Sequence, residues 1–288
     1  LALWSNLDQN DDLAAAAPPW LGALARTGAP ATDALVVRYL RECKVAHDVP
    51  FAELLWALGE RRVPLADAVA PLEGIARGEA EAAEGESPVP PWDGMPYGWP
   101  PLAVLVLQTW KTSGAFERAR ECIETSLNPD TVRTVEPWGR RWCAAFDVNE
   151  KRRLLESAKT SPAIADALLG MLSWCGRSEF LELRADALGL WTSMEGESRM
   201  LDELTALLLG ADTAEIDAHL VAVLDDSPRT SVLLFHLLRT RATRPISAAI
   251  APLTSLAAGP ASILDDARFY REDCKADQSI VFRESLQR

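Results

Sequence analysis

The sequence predicts an all-α protein: an irregular α-solenoid of stacked helical hairpins, with a closed helical bundle as the alternative. Three observations predict it. Apolar residues recur at helical spacing through most of the 288-residue chain. Proline and glycine fall where helices start and stop. No segment of five or more residues alternates apolar and polar as a half-buried strand does, and Val36-Val37 and Ile280–Phe282 are too short to count. The expectation is roughly 12–15 helices of about 10–15 residues.

In chain order, "ATDALVVRYL" (31–40) and "FAELLWALG" (51–59) open the helical pattern. The segment 73–87, "EGIARGEAEAAEGES", is acidic and punctuated by glycine, and reads as a solvated helix end running into a loop. It marks the best boundary. The expected division is an N-terminal helical segment at 1–87, a crossover at 88–101 and a main helical domain at 102–288, or one continuous domain over 1–288.

The crossover "PVPPWDGMPYGWPP" carries six prolines, two tryptophans and a tyrosine. A flexible linker would be rich in glycine and serine and poor in aromatics. A polyproline bait finds only Pro88-Val89-Pro90-Pro91, a weak pattern without a flanking base. An ordered connection fits best. Prolines lower the entropy lost on ordering, Asp93-Gly94 supplies a turn, and Pro100 or Pro101 opens the helix of "LAVLVLQTW". Trp99, ahead of Pro100, is expected to be extended and to staple onto that helix, while Trp92 turns outward.

Further on, Asn128-Pro129, Ser161-Pro162 and Ser227-Pro228 each offer a cap followed by proline in the first turn. Met200, Leu201, Leu204, Leu207 and Leu208 line one helical face, and Gly210 stands where a left-handed cap would sit. Ile216, Leu220, Val223 and Leu224 repeat the pattern, with Asp212 and Glu215 spaced as a capping box. Gly176 and Gly259-Pro260 read as stops. "IADALLGML" (164–172) and "RADALGLW" (184–191) echo the 31–40 segment, and "LDELTALLLG" (201–210) echoes 51–59. Such recurrence suits stacked hairpins, although Ala- and Leu-rich helices also look alike by chance.

Composition narrows the class. Apolar residues are 48% and charged residues 25%, which suits a buried core and a wet surface. The net charge of −13 repels phosphate backbones, so neither nucleic acid nor an anionic membrane is an expected partner. The longest apolar run, "LAVLVL" at 102–107, is far too short to span a bilayer. No secretory signal is expected at the start, and Leu1 in place of methionine reads as a trimmed end. Cys43, Cys122, Cys143, Cys175 and Cys274 are odd in number, widely spaced and free of any C-x-x-C motif. They read as free, mostly buried thiols of the cytoplasm.

The candidate chemistry is thin. His219 falls between Ile216, Leu220 and Val223, and a hairpin turning near Ser227 brings His236 level with it. The favoured reading is two hydrogen-bonded interface histidines with a Glu215–Arg239 ion pair. A metal or proton relay is the sharper one. The doubled aspartates at 11–12, 225–226 and 265–266 lack the further acid that an Asp-rich magnesium helix carries. No phosphate loop or nucleophile elbow occurs. Arg239, Arg241 and Arg244 gather in a stretch without acids, where they offset helix-end carbonyls or hold an acidic peptide. Arg140-Arg141 and Lys151-Arg152-Arg153 read as a wet face. All ten tryptophans lie within residues 4–191. The sequence therefore points to a non-enzymatic scaffold that binds another protein, with Trp92, Tyr97, Trp99, Arg239, Arg241 and Arg244 as its candidate contacts. No catalytic residue, metal or cofactor is expected. The alternative is a helical-bundle enzyme or small-molecule binder with a tryptophan-lined pocket.

Overall fold

A computed structural model of the chain describes residues 18–42, 48–61, 63–78, 99–194, 198–211, 213–222, 232–233 and 236–237. Among them are thirteen α-helices, one 3-10 turn and no strand. The all-α expectation holds. No helix among the described residues is long and apolar enough to cross a membrane. Contacts gather the chain into two units, 1–128 and 129–288.

The first unit contains α1 (Pro18–Thr27), α2 (Pro30–Glu42), α3 (Asp48–Gly59), a 3-10 turn (Ala66–Ala68), α4 (Val69–Ala76), α5 (Trp99–Thr109) and α6 (Ala115–Thr125). Helix α1 packs on α2 and α3, α2 on α4, and α5 on α3, α4 and α6. The sequence of α5 explains its place. Leu102 through Leu107 is apolar on every face, and each of these residues is buried. A helix apolar all round needs neighbours on several sides. The α1–α2 turn bends at Gly28, whose φ of 66° favours a residue without a Cβ. Arg61 then ties that corner together. Its guanidinium meets Asp33 at the start of α2 and reaches the Ala25 carbonyl near the end of α1 at 3.3 Å.

The second unit contains α7 (Pro129–Thr134), α8 (Glu136–Ala145), α9 (Val148–Ala158), α10 (Pro162–Leu172), α11 (Arg177–Ser193), α12 (Arg199–Gly210) and α13 (Ala214–Ala222). Helix α10 is its counterpart of α5. It buries Ile164, Ala165 and everything from Ala167 to Leu172, and packs on α7, α8, α9 and α12. Helix α9 packs on α11, α11 on α12, α12 on α13, and α7 on α8.

Several start signals behave as expected. Ser161 caps α10 with Pro162 in the first turn, and α7 begins at Pro129. Others differ. Gly210 is the last residue of α12 rather than a left-handed cap, because Ala211 continues the right-handed turn. Gly176 starts α11 as its N-cap rather than stopping α10. The first turn of α13 is capped by Thr213, whose hydroxyl accepts from the Ile216 amide at 3.4 Å. Asp212 lies outside the described residues. A full capping box occurs where none was expected. Asp147 accepts from the Glu150 amide, and Glu150 returns a bond to the Asp147 amide, each at 2.9 Å. Trp99 is the first residue of α5 rather than an extended lead-in, one position ahead of the prolines expected to open that helix.

Candidate functional site

The second unit gathers chemistry that the sequence kept apart. Helix α9 buries Lys151, Leu154, Leu155 and Ala158, spaced i, i+3, i+4 and i+7. Lys151 thus occupies an apolar position and is only 1% exposed. Arg152 and Arg153 are exposed, as a wet face should be, but Lys151 is not part of it. Its ammonium donates to Glu179 in the first turn of α11. Burying a lysine is costly without such a partner.

Beside this pair stand two thiols. Cys143 is buried on α8, and Cys175 is half-buried in the turn between α10 and α11. Their sulfurs lie 3.6 Å apart. The turn is held against α8 by Trp174. Its indole N–H donates to the Val132 carbonyl at 2.8 Å, and its ring lies 5.6 Å from the Arg140 guanidinium. Gly139 makes this possible. A Cβ there would overlap both the indole nitrogen and the Val132 carbonyl. One turn on from Gly139 comes Cys143, and next to Trp174 comes Cys175, so the glycine–tryptophan contact sets the two sulfurs face to face.

The electrostatics separate the thiols. A hydrogen bond from the Cys175 thiol lowers the Cys143 pKa; burial opposes it, and the Lys151 ammonium lowers it further, so Cys143 sits below the ordinary thiol value. Cys175 is pushed up, because its proton is held by Cys143 and its own burial disfavours charge. Burial works against the Lys151 charge, but the Cys143 thiolate and the bond to Glu179 outweigh it and raise its pKa. The arrangement therefore favours ionisation at Cys143 over Cys175, with the Glu179 carboxylate and burial opposing it. Cys122, buried on α6, shows the opposite case: burial pushes it up to about 12.

The ligand atoms of Cys143, Cys175 and Glu179 lie within 4.8 Å of one another, a spacing a cation could share. The set fits a metal poorly. The Glu179 carboxylate already receives the Lys151 ammonium, which places a fixed positive charge among the donors.

Two other polar clusters stiffen this unit. Arg133, 8% exposed, bonds Asp130 at 2.9 Å, Asp166 at 2.6 Å and Glu203 at 2.9 Å, joining α7, α10 and α12. Arg199 adds bonds to Asp130 and Glu203 at 2.9 and 3.1 Å. Burial nevertheless raises the Glu203 pKa against the lowering by both arginines. An open cavity of about 400 Å³ adjoins the network, lined by Pro162, Ala163, Asp166, Ser198, Arg199 and Met200. Deeper in, Trp191 donates to Thr205 at 2.8 Å, and His236 Nε2 lies 2.7 Å from Asp202 Oδ1.

The histidine expectation is thus corrected for His219. His236 is buried against Asp202 of α12, whereas His219 is exposed, because α13 turns Ile216, Asp217, Leu220 and Val221 inward instead. Glu215 pairs with Arg184 of α11 at 3.2 Å. Trp92, Tyr97, Arg239, Arg241 and Arg244 lie outside the described residues, as do Cys43 and Cys274 and the side chain of Trp99. The dithiol site was missed because its two halves, Cys143 with Lys151 and Cys175 with Glu179, lie 24 to 36 residues apart, with no short motif. The one legible signal was a lysine at the first place of an apolar stripe. No family model matches the chain, and neither a curated protein nor a solved structure shows a significant match.

Proposed function

We propose that the chain is a non-enzymatic helical scaffold of α-solenoid type that binds another protein in the cytoplasm, and neither nucleic acid nor membrane. The observation that carries the reading is the pattern of helix packing. Among the described residues each helix makes its main contacts with helices no more than three places away in chain order. Stacked hairpins pack in that way, and they leave long faces open to a partner. The cavity beside Arg199 supports the same reading, being open rather than the closed, convergent pocket of an enzyme. The net charge of −13 argues for a partner other than a polyanion. The anchors assigned to the partner are Trp92, Tyr97 and Trp99, with Arg239, Arg241 and Arg244 reading acidic groups. Affinity capture on the immobilised chain, followed by cross-linking and mass spectrometry, tests this. One near-stoichiometric protein, lost when Trp92 and Trp99 are changed to alanine, is the expected result. A small molecule that raises the melting temperature and is turned over would favour the alternative, a helical-bundle enzyme or small-molecule binder.

A further inference from the structure

We propose that Cys143 and Cys175 form a peroxide-sensitive dithiol site, with Cys143 as the attacking sulfur, Cys175 as the resolving thiol and Lys151 as the positioning cation. The site is independent of the scaffold reading.

Geometry carries the proposal. Two sulfurs 3.6 Å apart need to close to about 2.05 Å to bond. One of them, Cys175, sits in the turn between α10 and α11, outside either helix. The nucleophile in such chemistry is a thiolate, which a neighbouring ammonium favours. Lys151 supplies it, held in place by Glu179 and excluded from water. Cys122 lacks any such cation and stays protonated.

The oxidant is a hydroperoxide, taken here as hydrogen peroxide. The Cys143 thiolate attacks one peroxide oxygen and the O–O bond breaks. Cys143 becomes a sulfenic acid and the departing hydroxide takes up a proton to leave as water. The Cys175 thiol, as its thiolate, then attacks the sulfenic sulfur. The S–S bond forms, the S–O bond breaks, and a second water leaves with the Cys175 proton. In sum, two thiols and one peroxide give one disulfide and two waters. A dithiol reductant restores the pair by exchange. The disulfide closes a loop between residues 32 apart and staples α8 to the α10–α11 turn.

The test uses the full chain treated with hydrogen peroxide at a low molar excess. Intact mass should fall by two hydrogens, and peptide mapping should find Cys143 joined to Cys175 with Cys122 reduced. Dithiothreitol should reverse it. The oxidised chain should melt about 5–10 °C higher than the reduced one. In Cys175→Ser, Cys143 should stall as a sulfenic acid captured by a dimedone probe. Lys151→Gln should slow oxidation about tenfold, and Lys151→Arg should recover most of the rate. If Lys151→Gln does not fold, peptide mapping of the parent chain and Cys175→Ser still decide the matter. A pair that stays reduced while a free thiol in the same tube oxidises would overturn the proposal. So would a disulfide through Cys43 or Cys274, or a purified chain that retains one zinc and resists peroxide.

Discussion

The two units solve the same packing problem with different chemistry. The first buries one polar side chain, Gln108, among its described residues; its Arg26–Glu60 pair is exposed and its Arg61–Asp33 pair is partly buried. The second buries Thr131, Arg133, Lys151, Asp202, Thr205, Asp217 and His236. Both units centre on a helix apolar on nearly all sides, α5 in one and α10 in the other. What differs is the layer around that helix. Apolar contact is non-directional and tolerates small shifts. A buried ion pair demands a partner at a fixed place and costs several kcal/mol when the partner goes. The first unit is therefore specified mainly by shape, and the second also by exact polar pairing.

The strongest way to break this contrast is at Gly139. Gly139→Ala sets a methyl against a backbone carbonyl that cannot rotate away, and displaces the Trp174 indole bond. The expected cost is about 3–5 kcal/mol, read as lost amide-exchange protection on α8 and α10. Next comes a matched pair of core truncations. His236→Ala leaves the 2% exposed Asp202 without its imidazole and should cost about 3–4 kcal/mol. Adding Asp202→Asn should recover part of that loss, since the unpaired charge goes too. Leu55→Ala in α3 should cost about 3 kcal/mol through its cavity, with no second substitution that restores it by removing a charge. Equal recovery in both units would erase the distinction.

A smaller effect sharpens the comparison by pH. Cys122 in the first unit is raised to about 12, from an ordinary 9.0. The folded state holds that proton while the unfolded state releases it, so stability falls as pH rises from 9.0 towards 12. Cys143 is lowered, so its contribution is present above 9.0 and is lost as pH falls through its folded value. Urea midpoints at pH 7.0 and 9.5 should show Cys122→Ala gaining about 1 kcal/mol relative to the parent on the alkaline side. Cys143→Ala should shift the other way. The least effect belongs to the rim. Arg26→Ala breaks a pair whose side chains are 48% and 38% exposed, and should change stability by about 0.5 kcal/mol or less.

The same contrast explains what the sequence made legible. Periodicity found the helices of both units, because burying one face is a local property of spacing. It placed Leu201, Leu204 and Leu208 on the buried face of α12, all at 0% exposure. It failed where pairing is long-range. Nothing near Cys143 announces Cys175, 32 residues on, and nothing near Asp202 announces His236, 34 residues on. Lys151 was read by its charge, with Arg152 and Arg153, when its register with Leu154 and Leu155 decided its place. Gly139 gave no signal, since it bends no turn and matters only for the ring that crosses it. His219 misled by standing among apolar neighbours in sequence, while the turn of α13 faces it outward. The Asp147–Glu150 box was legible in the D-x-x-E spacing and was overlooked.

The short reach of helix pairing has a consequence in time. Among the described residues every strong pair joins helices close in chain order, so the first contacts form without a distant partner. Chains with such local contacts cross their folding barrier quickly, on a scale of microseconds to milliseconds. During synthesis, α1 has met α2 and α3 before α5 emerges, and α5 then arrives as the apolar wedge that completes their core. Between those events α3 and α4 expose the surfaces meant for Leu102 to Leu107. That interval, rather than the finished fold, is when the first unit is most open to aggregation and to chaperones.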